Sequence, residues 1–399
     1  MKILFSPAHY IFSDKRGSEY SWSYNIIDKI SEYYKNQSIV ITGLNETKKE
    51  YKIISIYKDK TFISMPYNAL FFNLNCFLHS MITIKTNKID IVHHCLPYSF
   101  GYTFNLISLF LKKEKFIIGP IQMQLEGIEE DFNLHFNKKI SFIIHKSKLA
   151  LASIFQRAAS PLLFFLAILT LKRADKIVVI NKATYNHFLP YVDKKNIVII
   201  PVGIAREKFN LKKEIKKDLV LFTASSLIKR KRIDLIIQSF SEIVKRYKKT
   251  KLIIVGDGPQ RKNLELLVKE LNIEKYVTFE GFVPNNLISK YYEKGDIYLS
   301  MSESESWGQV YLEAMSAGLP IISTKNIGSN EIVIAGKTGF LIEKGDCTGL
   351  TKGIIKLLKN RTMLKSFSEN ARILLEEKYY WDKIIPRYIK IYEDLMNET

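Results

Sequence analysis

Cysteine is scarce in this sequence: Cys76, Cys95 and Cys347 are the only three among 399 residues, widely separated and odd in number. That excludes a disulfide framework and offers no metal-ligand spacing, so all three are read as reduced thiols of a cytoplasmic protein. A membrane-spanning run is also missing. The most apolar stretch, "PLLFFLAILTL" at 161–171, is too short for a bilayer and follows Gln156 and Arg157. It reads either as a core helix or as an interfacial one. Pro7, His9, Asp14 and Lys15 break the apolar start, so "KILFS" is expected to be a first buried strand rather than a signal peptide. Acid is in deficit, with 60 Lys and Arg against 40 Asp and Glu, a net charge of +20. Such a surplus suits a polyanionic partner: nucleic acid, anionic lipid headgroups or sugar nucleotides. The lysines are spread along the chain, without a Gly-Phe-rich RNA motif or a zinc module, so charge does not choose among these.

What is present is enough apolar residue for large cores, 47% of a 399-residue chain. That length exceeds what one core usually serves, so two domains are expected. Strand-like and helix-like runs alternate: "KILFS", a helix near 18–35, "SIVIT", "IISI", "IDIVHH", "KFIIGP", "DKIVVI", a helix around "KATYNHFLPYV", and "NIVIIPV". The polar segment 203–218 reads as a linker. The rhythm then restarts with "LVLFTA" and continues through "KLIIVG", "VTFEGF", "DIYLSM" and "PIISTK", each followed by a helical pattern or a loop. Continuous β-branched runs in a βαβ rhythm predict parallel sheets covered on both faces. The reading is α/β, with two Rossmann-like domains. Residues 1–202 form the first and 219–377 the second, and the aromatic amphipathic helix of 378–399 joins the first. Ligands of open parallel sheets bind beyond the carboxyl ends of the strands, which places interest on the strand exits.

The richest exit is "SESESWGQVYLEAMSAG", 302–318. Ser306 is a plausible N-cap, and Gly318 with Pro320 stops the helix. Backbone N–H groups at Trp307 and Gly308 would then point out of the helix start beside Glu305, suiting sugar hydroxyls or an anionic leaving group. Gln309, Glu313 and Ser316 recur at helical spacing, which reads as a solvated polar stripe. Against that, Val310, Tyr311, Leu312, Ala314 and Met315 crowd Glu313, and a carboxylate held there needs a hydrogen-bonding partner such as a diol.

A second exit, "ASSLIKRKRID" at 224–234, carries four consecutive cations into a helix start. It reads either as a solvated basic turn or as a diphosphate site, since cations oppose the dipole there; Lys231 is best placed. In "IIVGDGPQR", Gly256 and Gly258 permit a tight turn with close ligand approach. Backbone around Val283 in "FEGFVPNN" could meet a flat base, and Gly328-Ser329-Asn330 could line a cleft, while Gly336 and Gly339 read as turn glycines. In the first half, Gly17, Ser18 and Glu19 follow the first strand, and His93 and His94 end "IDIVHH", where they are structural or catalytic. Gln122, Gln124 and Glu126 follow "KFIIGP" toward the same side.

Taken together, these residues resemble the retaining glycosyltransferases of family 4, also described as glycosyl transferases group 1, with the GT-B fold. Glu305-Ser306-Trp307-Gly308 through Glu313-Ala314-Met315 and Gly318 resemble the family's two-glutamate signature. "VGDGP", "GFVP", "GKTGFL" and the closing "YYWDKI" helix fall in its order; "RGSE", "IDIVHH" and "FIIGP" match more loosely. The resemblance implies a GT-B pair of domains facing each other across a central cleft, with the acceptor on the first and the donor on the second. Glu313 would bind ribose hydroxyls, Glu305 the transferred sugar and its reacting carbon, Lys231 the diphosphate, and backbone near Val283 the base. Arg230, Gly256, Trp307 and Gly308 would complete the donor site. Gly17, Ser18 and Glu19 would face it from the acceptor side. No metal is implied, and a clear aspartate-x-aspartate motif after a strand is missing. Two positions depart from the family: Ser226 stands where an arginine is usual, leaving Lys229 or Arg230 to reach the same oxygens. Gly119-Pro120 replaces the common histidine after "KFII", which makes His93 or His94 a candidate substitute.

The activity implied is transfer of a sugar from a UDP- or GDP-linked donor to a hydroxyl of a glycan or lipid-linked acceptor, in surface polysaccharide synthesis, with configuration retained. The cysteines point to the cytoplasm, and the basic balance with the 161–171 run suggests the inner, anionic membrane face; no nucleic-acid partner is expected. Two other readings stay open: a nucleotide-sugar epimerase on the same fold, and a non-catalytic polyanion-binding relative, which Ser226 makes conceivable.

Overall fold

The structure is a computed structural model describing residues 1–13, 18–57, 68–95, 104–123, 162, 164–206 and 218–398. They divide into two units. The first holds the described residues of Met1–Gln124, Phe136–Val202 and Ile384–Thr399, the second those of Gly203–Lys383.

In the first unit the strands are β1 (Ile3–Phe5), β2 (Ile11–Phe12), β3 (Ser38–Thr42), β4 (Leu44–Asn45), β5 (Lys52–Ser55), β6 (Ile91–His94), β7 (Lys115–Ile121), β8 (Lys176–Val179) and β9 (Ile197–Ile199). Its helices are α1 (Ser18–Tyr33), α2 (Asn68–Thr86) and α3 (Lys182–Phe188), and residues 164–173 are also helical. Seven strands form one parallel sheet in the order β5-β3-β1-β6-β7-β8-β9, and β2 pairs with β4 apart from it. The strands are short, apolar and β-branched, and β1 and β6 have every residue buried, as a sheet covered on both faces requires. The 161–171 run shares both characters weighed for it. Ala167 and Leu171 belong to the core, whereas Phe165 is 57% exposed.

The second unit holds β10 (Val220–Ala224), β11 (Lys251–Val255), β12 (Val277–Gly281), β13 (Ile297–Ser300), β14 (Ile321–Thr324) and β15 (Gly339–Ile342). Between and after them run α4 (Ile233–Arg246), α5 (Arg261–Glu270), α6 (Ser289–Tyr292), α7 (Gln309–Ser316), α8 (Ile327–Ile332), α9 (Cys347–Lys359), α10 (Arg361–Lys378) and α11 (Trp381–Asn397). The order β12-β11-β10-β13-β14-β15 is parallel throughout and reverses direction at β10. This is the doubly wound Rossmann arrangement, and the crevice beyond the carboxyl ends of β10 and β13 is its switch point. α4 shows why such sequences settle as helices: Ile233, Ile236, Ile237, Phe240, Ile243 and Val244 recur at helical spacing and enter the core of this unit.

Two boundaries differ from the sequence expectation. Gly203–Arg206 belong to the second unit rather than to a linker, because the Ile204 N–H donates to the Tyr379 carbonyl at 2.9 Å and the Trp381 N–H to that of Ile204 at 3.3 Å. Residues 207–217 of the expected linker lie outside the described residues. α11 starts in the second unit and passes into the first at Ile384, so the first unit claims less of the closing helix than the pattern suggested. The three cysteines are free thiols, two of them buried. Among the described residues no helix is long and apolar enough to cross a membrane.

Candidate active site at the switch point of the second sheet

The loops leaving β10 and β13 carry the basic run 229–232 and the polar run 302–306, and they interlock residue by residue. The Glu303 N–H donates to the Arg230 carbonyl at 3.0 Å, and Arg230 Nη1 donates to the Ser304 carbonyl at 2.5 Å. Lys231 Nζ pairs with Glu305 Oε1, both side chains about 15% exposed. Arg232 pairs with Glu303 at 3.0 Å and with Asp234 at 2.9 Å. The conflict read from the sequence, four cations at a helix start, is thus resolved largely inside the protein. Lys229–Lys231 form a short 3-10 turn, Arg232 takes a left-handed conformation, and Asp234 supplies acid to the first turn of α4. Lys229 is exposed on this loop, as is Ser226.

A cavity lies where the two loops meet, lined by Thr223, Ser225, Lys231, Tyr298, Glu305 and Val310 among others. Its floor is hydroxyl-rich. Tyr298 Oη donates to the Ala224 carbonyl at 3.1 Å, fixing the carboxyl end of β10, while Tyr311 Oη lies 3.3 Å from Ser300 Oγ and 3.0 Å from Ser323 Oγ. Burial pushes the Tyr298 phenol well above its ordinary range and that of Tyr311 up to about 12, so both stay protonated hydrogen-bonding groups. Ser225 Oγ is buried at this cavity without a hydrogen-bond partner. Sequence reasoning missed Tyr298, Tyr311 and Ser225. A tyrosine inside a buried strand or helix is the available signal, since its hydroxyl has to find a partner.

α7 starts later than the sequence suggested. Its N-cap is Gly308, at φ 77°, not Ser306, and Gly308 supplies no side-chain cap. The first-turn N–H groups are therefore those of Gln309 and Val310 instead of Trp307 and Gly308, and Val310 lines the cavity. The delay has a packing cause: Trp307 is 1% exposed and lies edge-on to Tyr379, their ring centroids 6.0 Å apart, so the chain buries that indole before it can coil. Gly328 and Ser329 are buried and Asn330 exposed. Ser329 closes a capping box with Asn326, so it serves α8 rather than presenting its hydroxyl to solvent.

Glu313 is 8% exposed, which overturns the solvated-stripe reading and leaves the held carboxylate. Tyr292 Oη, from α6, donates to Glu313 Oε2 at 3.0 Å. Burial, and after it the Glu313 charge, push the Tyr292 phenol well above its ordinary range. A charge-assisted hydrogen bond of this kind contributes about 1.5–3 kcal/mol.

Gly256 is corrected in a different way. It has φ 128°, and a Cβ there would lie 1.8 Å from the Ser225 carbonyl oxygen, so the space its missing side chain frees is filled by the loop after β10. Gly258 does the same for Leu227. These glycines bring the two loops together; they do not admit a ligand at their own Cα. Val283 is half-buried beside Phe282, which is 76% exposed.

In the first unit Gly17 lies outside the described residues, and Ser18 and Glu19 open α1 with side chains outside the description. Gln124 and Glu126 also lie outside it. His93 and His94 are both fully buried. His93 Nε2 donates to the Gly119 carbonyl at 2.9 Å and Nδ1 accepts from Tyr392 Oη at 2.6 Å. Burial pushes its pKa down to about 3. A neutral imidazole with both nitrogens engaged ties β6 to β7 and α11 and is not placed for proton transfer to a substrate. His94 Nδ1 lies 3.2 Å from Asn105 Nδ2, in the same interior. Because His93 is neutral when folded and protonates near 6.5 when unfolded, its contribution to stability is complete above pH 6.5 and is lost as pH falls toward 3. Denaturant unfolding between pH 7 and 4 is expected to show up to about 1.4 kcal/mol per pH unit from this group. His93→Gln, which keeps a donor for Gly119, should flatten that slope; an unchanged slope would place the effect elsewhere.

Among the described residues no cluster of His, Cys, Asp and Glu could hold a metal ion. Residues 205–374 match the family model described as glycosyl transferases group 1. The match covers most of the second unit, and that unit is similar to this family. N-acetyl-alpha-D-glucosaminyl L-malate synthase of Bacillus anthracis is 36% identical over 206 residues, 51% of this chain and 53% of that protein. The chain thus spans about half the length of this curated relative. The fold is GT-B, shared over nearly the whole chain with solved glycosyltransferase structures. The sucrose-phosphate synthase of Thermosynechococcus elongatus superposes with a TM-score of 0.68 at 17% identity, covering 100% of this chain and 99% of that one. Anabaena HepE in complex with UDP and glucose does so with a TM-score of 0.65 at 15% identity, covering 98% and 99%.

Proposed function

We propose that the protein is a retaining glycosyltransferase that moves a sugar from a nucleoside-diphosphate donor to a hydroxyl of a glycan or lipid-linked acceptor, in surface polysaccharide synthesis. The observation that carries this reading is the meeting of Lys231 and Glu305 at the switch point of the second sheet, with buried Glu313 on the helix that follows. The donor diphosphate takes the Lys231 ammonium from Glu305, and Lys229, the exposed cation of the loop, reaches the oxygens that an arginine at position 226 would serve. Glu305, released from its ion pair, then accepts from hydroxyls of the transferred sugar. Glu313 accepts from the ribose, one oxygen already oriented by Tyr292. The base rests near Val283.

As the bond from the anomeric carbon to the diphosphate breaks, negative charge accumulates on the leaving oxygen. Lys231 and the first-turn N–H groups of α7 stabilise it where it forms. The acceptor oxygen bonds to the anomeric carbon, and its proton passes to the departing diphosphate oxygen. HepE, whose solved complex holds UDP, supports a uridine donor.

Melting curves with UDP, GDP and ADP test the reading. One of them, with UDP first, is expected to stabilise the protein by about 2.7 kcal/mol at a hundredfold excess over its Kd. Glu313→Gln, which keeps a partner for Tyr292, should melt like the wild type alone and lose most of the nucleotide shift. Stabilisation by duplex DNA and by no nucleotide would overturn the proposal in favour of a polyanion binder.

A further inference from the structure

The first unit carries an apolar face that the transferase reading does not use. Along α2, Phe71, Leu74, Leu78 and Ile82 fall on one stripe and are 58%, 40%, 56% and 60% exposed. The opposite side of the same helix supplies Phe72 and Cys76 to the core, so α2 is apolar on both sides. A surface helix of a soluble domain ordinarily turns polar residues outward, and a contiguous exposed apolar stripe marks an interaction surface. Residues 106–109 form a short 3-10 turn packed on α2. There Leu109 and Phe110 extend the stripe, 43% and 55% exposed, with Phe110 5.2 Å from Phe77 ring to ring. The segment after the turn is stitched to the carboxyl end of helix 164–173 by Arg173 Nη2 donating to the Leu111 carbonyl at 2.9 Å.

The charge around this face is mostly positive. α2 contains no Asp or Glu, and Lys85, Lys88, Lys112, Lys113 and Lys172 are exposed near the ends of these elements. The carboxylates nearest in sequence are engaged by backbone: Glu114 accepts the N–H groups of Lys112 and Lys113, and Asp90 that of Lys2. Exposed Phe, Leu and Ile bordered by lysines suit an interfacial helix on a bilayer, the apolar side chains entering the acyl boundary and the cations meeting lipid phosphates. A protein partner of ordinary composition would not need the cationic border.

We propose that this face of the first unit docks on an anionic lipid bilayer. Flotation of the full chain with phosphatidylcholine vesicles, with and without phosphatidylglycerol, tests it. The wild type should float with the mixed vesicles, weakly with phosphatidylcholine alone, and less as salt rises. Leu78→Glu/Ile82→Glu and Lys112→Glu/Lys113→Glu should each weaken binding at least about tenfold while leaving melting temperature and nucleotide shift unchanged. Wild type that stays unbound, or variants that float as it does, would overturn the proposal. So would a Leu78→Glu/Ile82→Glu protein that halves its sedimenting mass, which assigns the face to a second copy, or one that melts far lower, which assigns it to this chain's own packing.

Discussion

Lys231→Ala is expected to lower kcat/KM for donor turnover by about 10²–10³-fold, the effect of removing one preorganised group that faces developing negative charge. The same substitution should also destabilise the unliganded protein, because it strands Glu305, whose side chain is 14% exposed, without its cation. The two consequences separate in a double variant. In Lys231→Ala/Glu305→Gln the stranded carboxylate becomes a neutral amide, so stability should return toward wild type, whereas turnover should not. Release of nucleoside diphosphate and denaturant unfolding on all four proteins give both cycles. Activity that recovers together with stability would make the ion pair a structural device and remove Lys231 from the chemistry.

Much of the second unit was legible because its signals are local. Runs such as "KLIIV" and "IYLS" have no reading other than short buried strands, and the helical spacing of α4 is unbroken from Ile233 to Val244. The candidate site was legible as residue types at strand exits: Lys231 follows β10, and Glu305 and Glu313 follow β13, the two strands that define the switch point. What could not be read is every relation that depends on a distant partner. The basic loop looked unbalanced because two of its counter-charges, Glu303 and Glu305, lie more than 70 positions away. Glu313 looked solvated because Tyr292 sits on the short helix α6, which leaves no periodic signal. His93 looked like a strand-end base because the hydroxyl that occupies it belongs to Tyr392, 299 residues on. Capping rules favour Ser306, and they fail there because burial of Trp307 against Tyr379 outweighs a cap of about 1 kcal/mol.

The largest expected effect on folding belongs to a residue that touches no ligand. A Cβ at Gly328 would lie 2.2 Å from the Trp307 carbonyl oxygen and 2.6 Å from its carbon. Those are backbone atoms, and neither they nor Gly328 can yield by rotating a side chain. The Gly328 N–H donates to the Glu305 carbonyl at 2.9 Å, so α8 holds the loop of Glu305 from behind at the point where the methyl would intrude. Gly328→Ala is expected to cost about 3 kcal/mol or more, by overpacking that has no room to relax. It should also displace Glu305 and Trp307 and so abolish the nucleotide shift. Gly336→Ala supplies the contrast. That glycine has φ 77° but nothing within 4 Å of its would-be Cβ, so the substitution bears only the left-handed backbone penalty of about 1–2 kcal/mol and leaves nucleotide binding intact. Denaturant melts and nucleotide titrations of both variants decide the matter. If Gly328→Ala unfolds and binds like the wild type, then the loop bearing Glu305 is not held by α8, and the positioning of the site from behind is wrong.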